Sequence, residues 1–329
     1  MLLEVAGLLV ISGILLLIIG IFIARQYTLR AKLITAFLVI VMTSLTVLAL
    51  LDGYILAENL TAGANKALTS AARNYADRID QFNRQNSLFL KTEANLPAIN
   101  KFLTRKAEPP YNRQALLEIL RALKSRQEKV ITSYAILNTQ GINILDTVSA
   151  NIGVDESQQK YFSVLADGRY ASYRSPIVFD ENQSVFVFSS AINDLSGKLL
   201  GVLRAKYDAS ILNSLFDRTK GVIGQGSFSI LLDENNLRLV HGRRGDLEHT
   251  LASKISDIQL NQLIREKRLP ANVTDAFVEN SEWAKSIKAA SISDPIIETQ
   301  FYGLGTSLFS SAVVKIDTAP WTIIVSMTQ

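Results

Sequence analysis

Two long runs of apolar residues open the chain, and each is long enough to cross a membrane. Residues 5–24 and residues 33–51 contain no charged side chain. A helix of about 20 apolar residues spans the hydrocarbon core of a bilayer. The pattern therefore predicts two transmembrane helices within residues 1–52.

A short basic segment, residues 25–32, separates the two runs and carries Arg25, Arg30 and Lys32. Because basic loops stay in the cytoplasm, this segment places residues 53–329 on the extracytoplasmic side of the cell (inner) membrane. A cleaved signal peptide is the alternative for the first run. A signal peptide has a basic start and a shorter apolar run, whereas Glu4 precedes this run. Two retained spans are therefore favoured.

Residues 53–96 have the pattern of one long helix leaving the membrane. Helix-forming residues dominate this stretch, which contains no proline and is followed directly by Pro97. Apolar residues follow a seven-residue repeat of the a/d kind, and the repeat consists of Leu68, Ala72, Tyr75, Ile79, Phe82 and Phe89. We expect a stalk helix that packs one face on its own globular region and pairs through another face in a homodimer. The alternative is a helix that packs only within its own domain. Pro97 is expected to end it.

The apolar period changes after residue 110, where short helices alternate with strands. A helical pattern covers residues 113–129, and alternating apolar residues then predict a β-hairpin within residues 131–145. A helix at 156–165 follows. Three further strands are predicted at 170–175, 184–192 and 198–206, with a last helix at 208–216.

The same order of elements recurs in the last third of the chain. Residues 227–240 resemble the first hairpin, residues 307–317 resemble the strand at 184–194, and residues 321–327 form a final strand pattern. Helical patterns lie within 247–264 and near Trp283. An antiparallel sheet with helices on one side, present twice, is an α+β arrangement. We therefore predict two tandem modules, residues 97–220 and residues 221–329.

Composition excludes several classes of function. The formal net charge of +4 is too small and too dispersed to indicate a nucleic-acid partner. The absence of cysteine excludes disulfides, zinc–thiolate sites and thiol nucleophiles. The acidic stretch 233–236 lacks the glycine and the distant glutamate of a calcium loop, so a hairpin turn is predicted there. We expect neither a catalytic site nor a metal or other cofactor.

Several segments, taken in order, resemble the double Cache family of extracellular sensors, whose modules are PAS-like. The segments that carry the resemblance are 134–141, 153–162, 189–197, 201–208 and 319–325, together with the long leading helix. The resemblance covers roughly residues 54–329. It implies the sensing region of a histidine kinase, a chemoreceptor or a cyclase-type receptor, with a small molecule bound in the membrane-distal module, residues 97–220. Such receptors continue into another span and an output domain, so we expect this chain to be a fragment.

One subgroup of the family recognises amino acids, and this chain departs from its pocket. Gln159 stands where the subgroup has an arginine for the ligand carboxylate, and Lys206 stands where it has an aspartate for the ammonium group. Ile177 replaces a tyrosine, and another tyrosine falls near Val154. Only the aromatic pair is retained in kind, as Tyr161 and Phe162.

The departure predicts an anionic, carboxylate-like ligand paired with Lys206, because a buried lysine without a counter-ion is costly. Arg169 and Arg174 are possible helpers. The predicted ligand-binding set is Gln159, Tyr161, Phe162, Arg169, Tyr173, Arg174, Ser190 and Lys206. The alternative is that Lys206 points into solvent, since a register shift of one residue reverses its side.

The favoured hypothesis is a transmembrane sensor without catalytic activity of its own. The chief alternative is an envelope binding or adhesion ectodomain that does not signal, and an envelope enzyme comes next. A gene that continues past Gln329 into another apolar span and an output domain would favour the receptor.

Overall fold

The computed structural model describes residues 28–104, 111–127, 129–180, 183–217, 224, 226–270, 281–290, 295–301 and 304–328. The first predicted span and residues 25–27 of the basic loop lie outside these residues. By its internal contacts the chain divides into residues 1–66 and residues 67–329. One helix, α1 (Leu29–Ala94, 66 residues), begins in the first unit and ends in the second.

In the first unit, the second predicted span is a helix with uncovered apolar side chains. The part of α1 that begins at Leu33 is long and apolar enough to cross a membrane, and none of its most apolar window is buried. The hydroxyl groups of Thr43, Ser44 and Thr46 donate to carbonyl oxygens four residues earlier. Polar groups in a bilayer core must find their partners within the protein, and these hydroxyls do so.

In the second unit, the predicted seam of α1 packs against the domain itself. Leu68, Ala72, Tyr75 and Ile79 are all buried in the main hydrophobic cluster. The repeat from Leu68 to Ile79 therefore marks the face that α1 turns toward its own domain, whereas Phe89, the last member of the predicted repeat, is 44% exposed. The helix ends at Ala94, and the next helix begins at Pro97, which confirms the predicted break.

The first sheet lies within residues 131–208 and has the strand order β2-β1-β6-β5-β3, with β4 also paired to β5. All pairs are antiparallel. The strands are β1 (Ile131–Leu137), β2 (Asn143–Asp146), β3 (Ser172–Arg174), β4 (Val178–Asp180), β5 (Gln183–Asn193) and β6 (Leu199–Asp208). The helices around this sheet are α2 (Pro97–Thr104), α3 (Tyr111–Ser125), α4 (Lys160–Ala166) and α5 (Ile211–Asp217).

The second sheet has the strand order β8-β7-β11-β10-β9 and is also antiparallel. Its strands are β7 (Phe228–Leu232), β8 (Arg238–His241), β9 (Ile296–Thr299), β10 (Phe309–Lys315) and β11 (Thr322–Thr328). Two helices, α6 (Asp257–Arg265) and α7 (Ser281–Ala290), accompany it. The α+β class and the repeated antiparallel sheet are thus confirmed. We call residues 97–220 the first module and residues 221–329 the second module. The boundary predicted between them lies outside the described residues.

Local differences from the predicted elements have physical causes. The helix predicted at 156–165 begins at Lys160, because the backbone before it pairs with the first hairpin. Asn143 N donates to Val154 O at 3.0 Å, and Glu156 N donates to Gly141 O at 2.9 Å. Residues held in such bonds cannot also form a helical turn. The short edge strands β4 and β9 were not predicted, since three or four residues give too little alternation to recognise.

Candidate ligand site

The first sheet has two chemically different faces. Successive side chains of β6 show the difference, because apolar and charged residues alternate along this strand. Leu203, Ala205 and Tyr207 belong to the main core, and the Tyr207 ring packs edge-on against Phe82 of α1. We call this the inner face. Arg204 and Lys206 take the alternate positions, and side chains on a strand point to opposite faces in turn. They therefore lie on the other face, which we call the outer face.

Helix α4 covers the outer face. Ser189 of β5, the cross-strand partner of Arg204, donates from its hydroxyl to Tyr161 O at 2.8 Å. Phe162 is buried with Leu137 and Val202 in a small apolar cluster beneath the helix. Tyr161 and Tyr173 pack against that cluster. The aromatic wall predicted from the sequence is thus assembled on the outer face.

A buried charge cluster forms the centre of the outer face. The Arg204 side chain is 2% exposed and pairs with Glu156 at 2.7 Å and with Asp146 at 3.1 Å. Its Nε also donates to Glu156 Oε2 at 2.8 Å, so the contact with Glu156 is bidentate. One guanidinium and two carboxylates are therefore removed from water together. Such a group is stable only if the remaining polar atoms are hydrogen-bonded.

Neutral side chains complete the cluster. Arg204 Nη1 donates to Ser133 Oγ at 2.6 Å, and Ser133 Oγ donates to Asp146 Oδ1 at 2.9 Å. Asn143 Nδ2 donates to both carboxylates, at 2.9 and 3.1 Å. The Tyr161 hydroxyl donates to Glu156 Oε2 at 2.7 Å. Tyr161 is therefore fixed at two points, its hydroxyl by Glu156 and its backbone carbonyl by Ser189.

The electrostatics of the cluster favour its charged form. Burial alone would raise the pKa of Glu156, but hydrogen bonds and the charge of Arg204 hold that pKa below its usual value. Burial works to lower the pKa of Arg204, and the two carboxylates more than offset this and raise it. Burial, with the neighbouring Glu156 charge, raises the pKa of Tyr161. Tyr161 thus remains a neutral hydrogen-bond donor.

Lys206 lies next to this cluster and has its own counter-ion. Its Nζ is 2.9 Å from Asp180 Oδ2, and the two side chains are 24% and 49% exposed. The hydrogen bond and charge of Lys206 lower the pKa of Asp180. The ammonium group is therefore half-covered but neither fully solvated nor unpaired. This arrangement lies between the two alternatives that the sequence left open.

The structure does not bring the whole predicted set together. Tyr161, Phe162, Tyr173 and Lys206 share the outer face, as the register and packing above require. Arg174 is the cross-strand partner of Phe188, and Ser190 is the cross-strand partner of Leu203. Since cross-strand partners point to the same side of a sheet, Arg174 and Ser190 lie on the inner face. Alternation along β3 and β5 thus excludes Arg174 and Ser190 from the site of Lys206.

The other two predicted residues are at the surface. Gln159 precedes the first turn of α4 and is exposed. Arg169 follows α4, is exposed and pairs with Asp167 at 2.7 Å. Because the Arg169 charge is solvated and already paired with Asp167, no bound anion is required to balance it. Neither residue contacts Lys206 in the described structure.

Four residues of the outer face were missed by the sequence analysis: Asp146, Glu156, Asp180 and Arg204. The signal for Arg204 was present, because two-residue alternation in β6 places it on the face of Lys206. No local pattern pairs Arg204 with residues 48 and 58 positions away. Those partners depend on how the loop before α4 folds across the sheet.

The corresponding face of the second sheet is largely aromatic and aliphatic, although buried Arg238 and His241 also lie on it as cross-strand partners of Leu232 and Ile230. Phe228, Phe301, Phe309 and Trp283 pack there through edge-to-face ring contacts, with centroids 5.1–6.5 Å apart. These rings form a separate buried cluster with Ile230 and Ile324. The second module also holds buried charge, in Arg238 and in the Arg268–Asp233 ion pair at 2.6 Å. Among the described residues, no group of three or more His, Cys, Asp or Glu side chains is placed to hold a metal ion.

The fold and the covered polar face of the first sheet define an extracellular-type sensor domain with two PAS-like modules. The family model described as Cache domain, of the double Cache type, matches residues 55–329. The chain belongs to the double Cache family. No curated protein sequence matches the chain.

Solved structures of sensor domains share this fold at low identity. The sensor domain of the Vibrio cholerae histidine kinase DctB has a TM-score of 0.63 at 12% identity, covering 82% of this chain and 99% of its own. The ligand-binding domain of the Campylobacter jejuni chemoreceptor Tlp3, in complex with 4-methylisoleucine, has a TM-score of 0.55 at 17% identity, covering 81% and 91%. The ligand-binding domain of the Pseudomonas fluorescens chemoreceptor CtaA, in complex with L-serine, has a TM-score of 0.52 at 16% identity. The match covers 82% of this chain and 98% of the CtaA domain.

Proposed function

We propose that residues 53–329 are the extracytoplasmic ligand-sensing region of a transmembrane signalling receptor, with the small-molecule site on the outer face of the first sheet. Membership in the double Cache family supports the sensing role. The apolar start of α1, which continues without a break into the sensor domain, supports a membrane anchor. Related domains in histidine kinases and chemoreceptors support signalling as the purpose. The proposed receptor is of the histidine kinase, chemoreceptor or cyclase type.

The absence of cysteine makes the proposed topology simple to test. A single Leu195→Cys variant places a thiol on a fully exposed turn of the first module. We expect a membrane-impermeant maleimide to label it in right-side-out vesicles. A Gln26→Cys variant, in the predicted cytoplasmic loop, should react only after the membrane is permeabilised. Reversal of this pattern, with Leu195→Cys protected until permeabilisation, contradicts the proposal.

We propose in addition that the receptor is a homodimer that pairs along α1. The face of α1 that carries Ile79 is buried in its own domain, whereas Asp77, Gln81 and Leu88 lie on the opposite, exposed stripe. Leu88 is 61% exposed, so this stripe offers an apolar side chain to the helix of a partner subunit. A Leu88→Cys variant should form an intermolecular disulfide in membranes under mild oxidation. A chain that stays uncrosslinked there, and is monomeric in micelles, contradicts pairing.

The ligand that fits the outer face best is a small anion such as a carboxylate. Lys206 stands at the end of β6 with its ammonium group partly covered, and the aromatic rings of Tyr161 and Tyr173 flank the same face. A cation at this position does not suit the ammonium group of an amino acid, the type of ligand named for the chemoreceptor domains above. Arg204 is not available to a ligand, because both carboxylates of the buried cluster already engage it.

A Lys206→Gln variant should lose anion binding. Loss of one charged hydrogen bond costs about 1.5–3 kcal/mol, which corresponds to roughly a 10- to 100-fold weaker affinity. The measurement is a thermal-shift and calorimetric screen of the full chain in nanodiscs against mono- and dicarboxylates, with amino acids in parallel. Arg169→Gln removes an equal charge from an exposed ion pair and should bind as the wild type does. Carboxylate affinity that survives Lys206→Gln unchanged removes Lys206 from the site.

A further inference from the structure

The short strand β4 lies between the ligand site and the second module. Asp180, its last residue, pairs with Lys206. Phe179, the residue before it, donates from its backbone N–H to Lys267 O of the second module at 2.7 Å. The Phe179 ring also packs edge-on against the His249 ring at 4.9 Å. Neighbouring residues of one strand thus contact the ligand site and the second module.

The two residues that contact Phe179, His249 and Lys267, have an unfavourable backbone conformation. In the described part of the chain, the non-glycine residues with positive φ are Asn236, His249 and Lys267. Two of these are the contacts of Phe179, with φ of 63° and 53°. Side chains with a Cβ rarely adopt this region, and such strain collects at switch regions and ligand clamps. The contact with Phe179 is therefore placed where the second module holds strained backbone.

The neighbouring strand β3 makes a second contact of the same kind. The guanidinium of Arg174 lies 4.2 Å from the ring centroid of Trp321. Trp321 is buried and directly precedes β11, the last strand of the second module. A stacked guanidinium on a tryptophan is among the stronger cation–π contacts. Arg174, which does not belong to the ligand site, therefore has a role between the modules.

A ligand carboxylate and Asp180 carry the same charge and would meet at the same ammonium group. Two carboxylates within a few ångströms of each other repel, and the repulsion is larger at a half-covered site than in water. Within the first sheet β4 is held on one side, since its three residues pair with β5 alone among the described strands, and its other contacts are those of Phe179 with the second module. Displacement of Asp180 is therefore the easier response to an incoming anion.

We infer that Asp180 is an internal counter-ion which the anionic ligand displaces from Lys206, and that β4 transmits the displacement to the second module through Phe179. The inference rests on the anion site proposed above. A ligand shifts such an equilibrium only by its different affinities for the two arrangements. Here the difference arises because Lys206 is bound to Asp180 in one arrangement and is available to the ligand in the other.

The test uses the full chain in nanodiscs, with acetate and succinate as probes. Asp180→Asn removes the competing charge and keeps the size of the side chain, so we expect about a tenfold gain in anion affinity. Asp167→Asn, an exposed carboxylate in a surface ion pair, is the matched control and should leave affinity unchanged. Both tryptophans, Trp283 and Trp321, lie in the second module. Their emission therefore reports a change there when anion binds the first module.

Phe179→Ala tests the transmission step. We expect anion affinity within about threefold of the wild type, together with loss of the tryptophan response. Hydrogen exchange should show that anion binding exposes the amides of residues 177–180 in the wild type. If the wild type binds neither probe nor any other carboxylate, the anion site and this inference both fail. If the wild type binds but Asp180→Asn has unchanged affinity, or Phe179→Ala keeps the full tryptophan response, the inference fails while the anion site stands.

Discussion

Arg204→Met is expected to lower the free energy of unfolding by about 3–5 kcal/mol, the largest effect we anticipate for a single substitution in this chain. The substitution leaves Asp146 and Glu156 buried without their cation, because their side chains are 0% and 8% exposed. Methionine fills a similar volume, so the loss of charge dominates the loss of packing. Circular dichroism of the full chain in micelles, followed in urea, measures the change.

Two further variants separate the buried charge from other causes. Arg169→Met breaks an exposed ion pair of the same module and should cost at most about 1 kcal/mol. Adding Glu156→Gln to Arg204→Met removes one of the unpaired carboxylates and should recover part of the lost stability. A single variant Arg204→Met that unfolds at the same urea concentration as Arg169→Met is incompatible with a tightly coupled buried cluster.

Asp80→Ala is expected to destabilise the second module by about 2–4 kcal/mol. Asp80 of α1 is 6% exposed and caps the turn between β10 and β11. Its carboxylate accepts from Thr318 N at 2.7 Å, from Thr318 Oγ1 at 2.5 Å and from Asp317 N at 3.2 Å. Alanine leaves these donors without their charged partner in a mostly buried position.

Tryptophan emission during urea unfolding follows the effect of Asp80→Ala, because both tryptophans lie in the second module. Asp77→Ala changes the same residue type one turn earlier on an exposed face of α1 and should shift stability by less than about 0.5 kcal/mol. Equal effects from the two substitutions contradict the capping role. An Asp80→Asn variant, which keeps an acceptor oxygen, should be intermediate.

The capping contact also bears on signalling. The stretch of α1 from residue 67 onward packs Phe82 against Tyr207 of the first sheet and places Asp80 on the turn that leads into β11. One helix therefore contacts both modules with neighbouring residues. β4 and Arg174 make further contacts between the modules. A ligand-linked shift in the first module thus has more than one physical route to the last strand.

Buried polar groups of α1 reinforce the inner face of the first module. Glu93 accepts from the guanidinium of Arg126 and from the hydroxyl of Tyr134. Asn86 accepts from the Tyr207 hydroxyl at 2.8 Å. Burial raises the pKa of both tyrosines, so both stay neutral donors. Such satisfied polar contacts fix the rotation of α1 relative to the sheet more sharply than apolar packing alone.

Some parts of the fold were predictable because their signals are local. Strand β1 was predicted with its observed bounds, and the helix break before Pro97 followed from the ring that prevents proline from continuing a helix. The aromatic pair Tyr161 and Phe162 lies on the outer face with Lys206, and its contact with a ligand stays a prediction. Arg174 and Ser190 lie on the inner face, which the sequence did not indicate because the face of a residue depends on cross-strand register.

The apolar run of residues 33–51, the long helix, most of the strands and the family could be predicted from the sequence alone. Each of these follows from periodicity or from motifs within a short stretch, where neighbouring residues decide the outcome. The engagement of Arg204 by Asp146 and Glu156, and of Lys206 by Asp180, became visible only in the folded domain. Those pairs join residues 26 to 58 positions apart. Their formation depends on the burial that desolvates them and on the register that aligns them, and neither property belongs to any single segment.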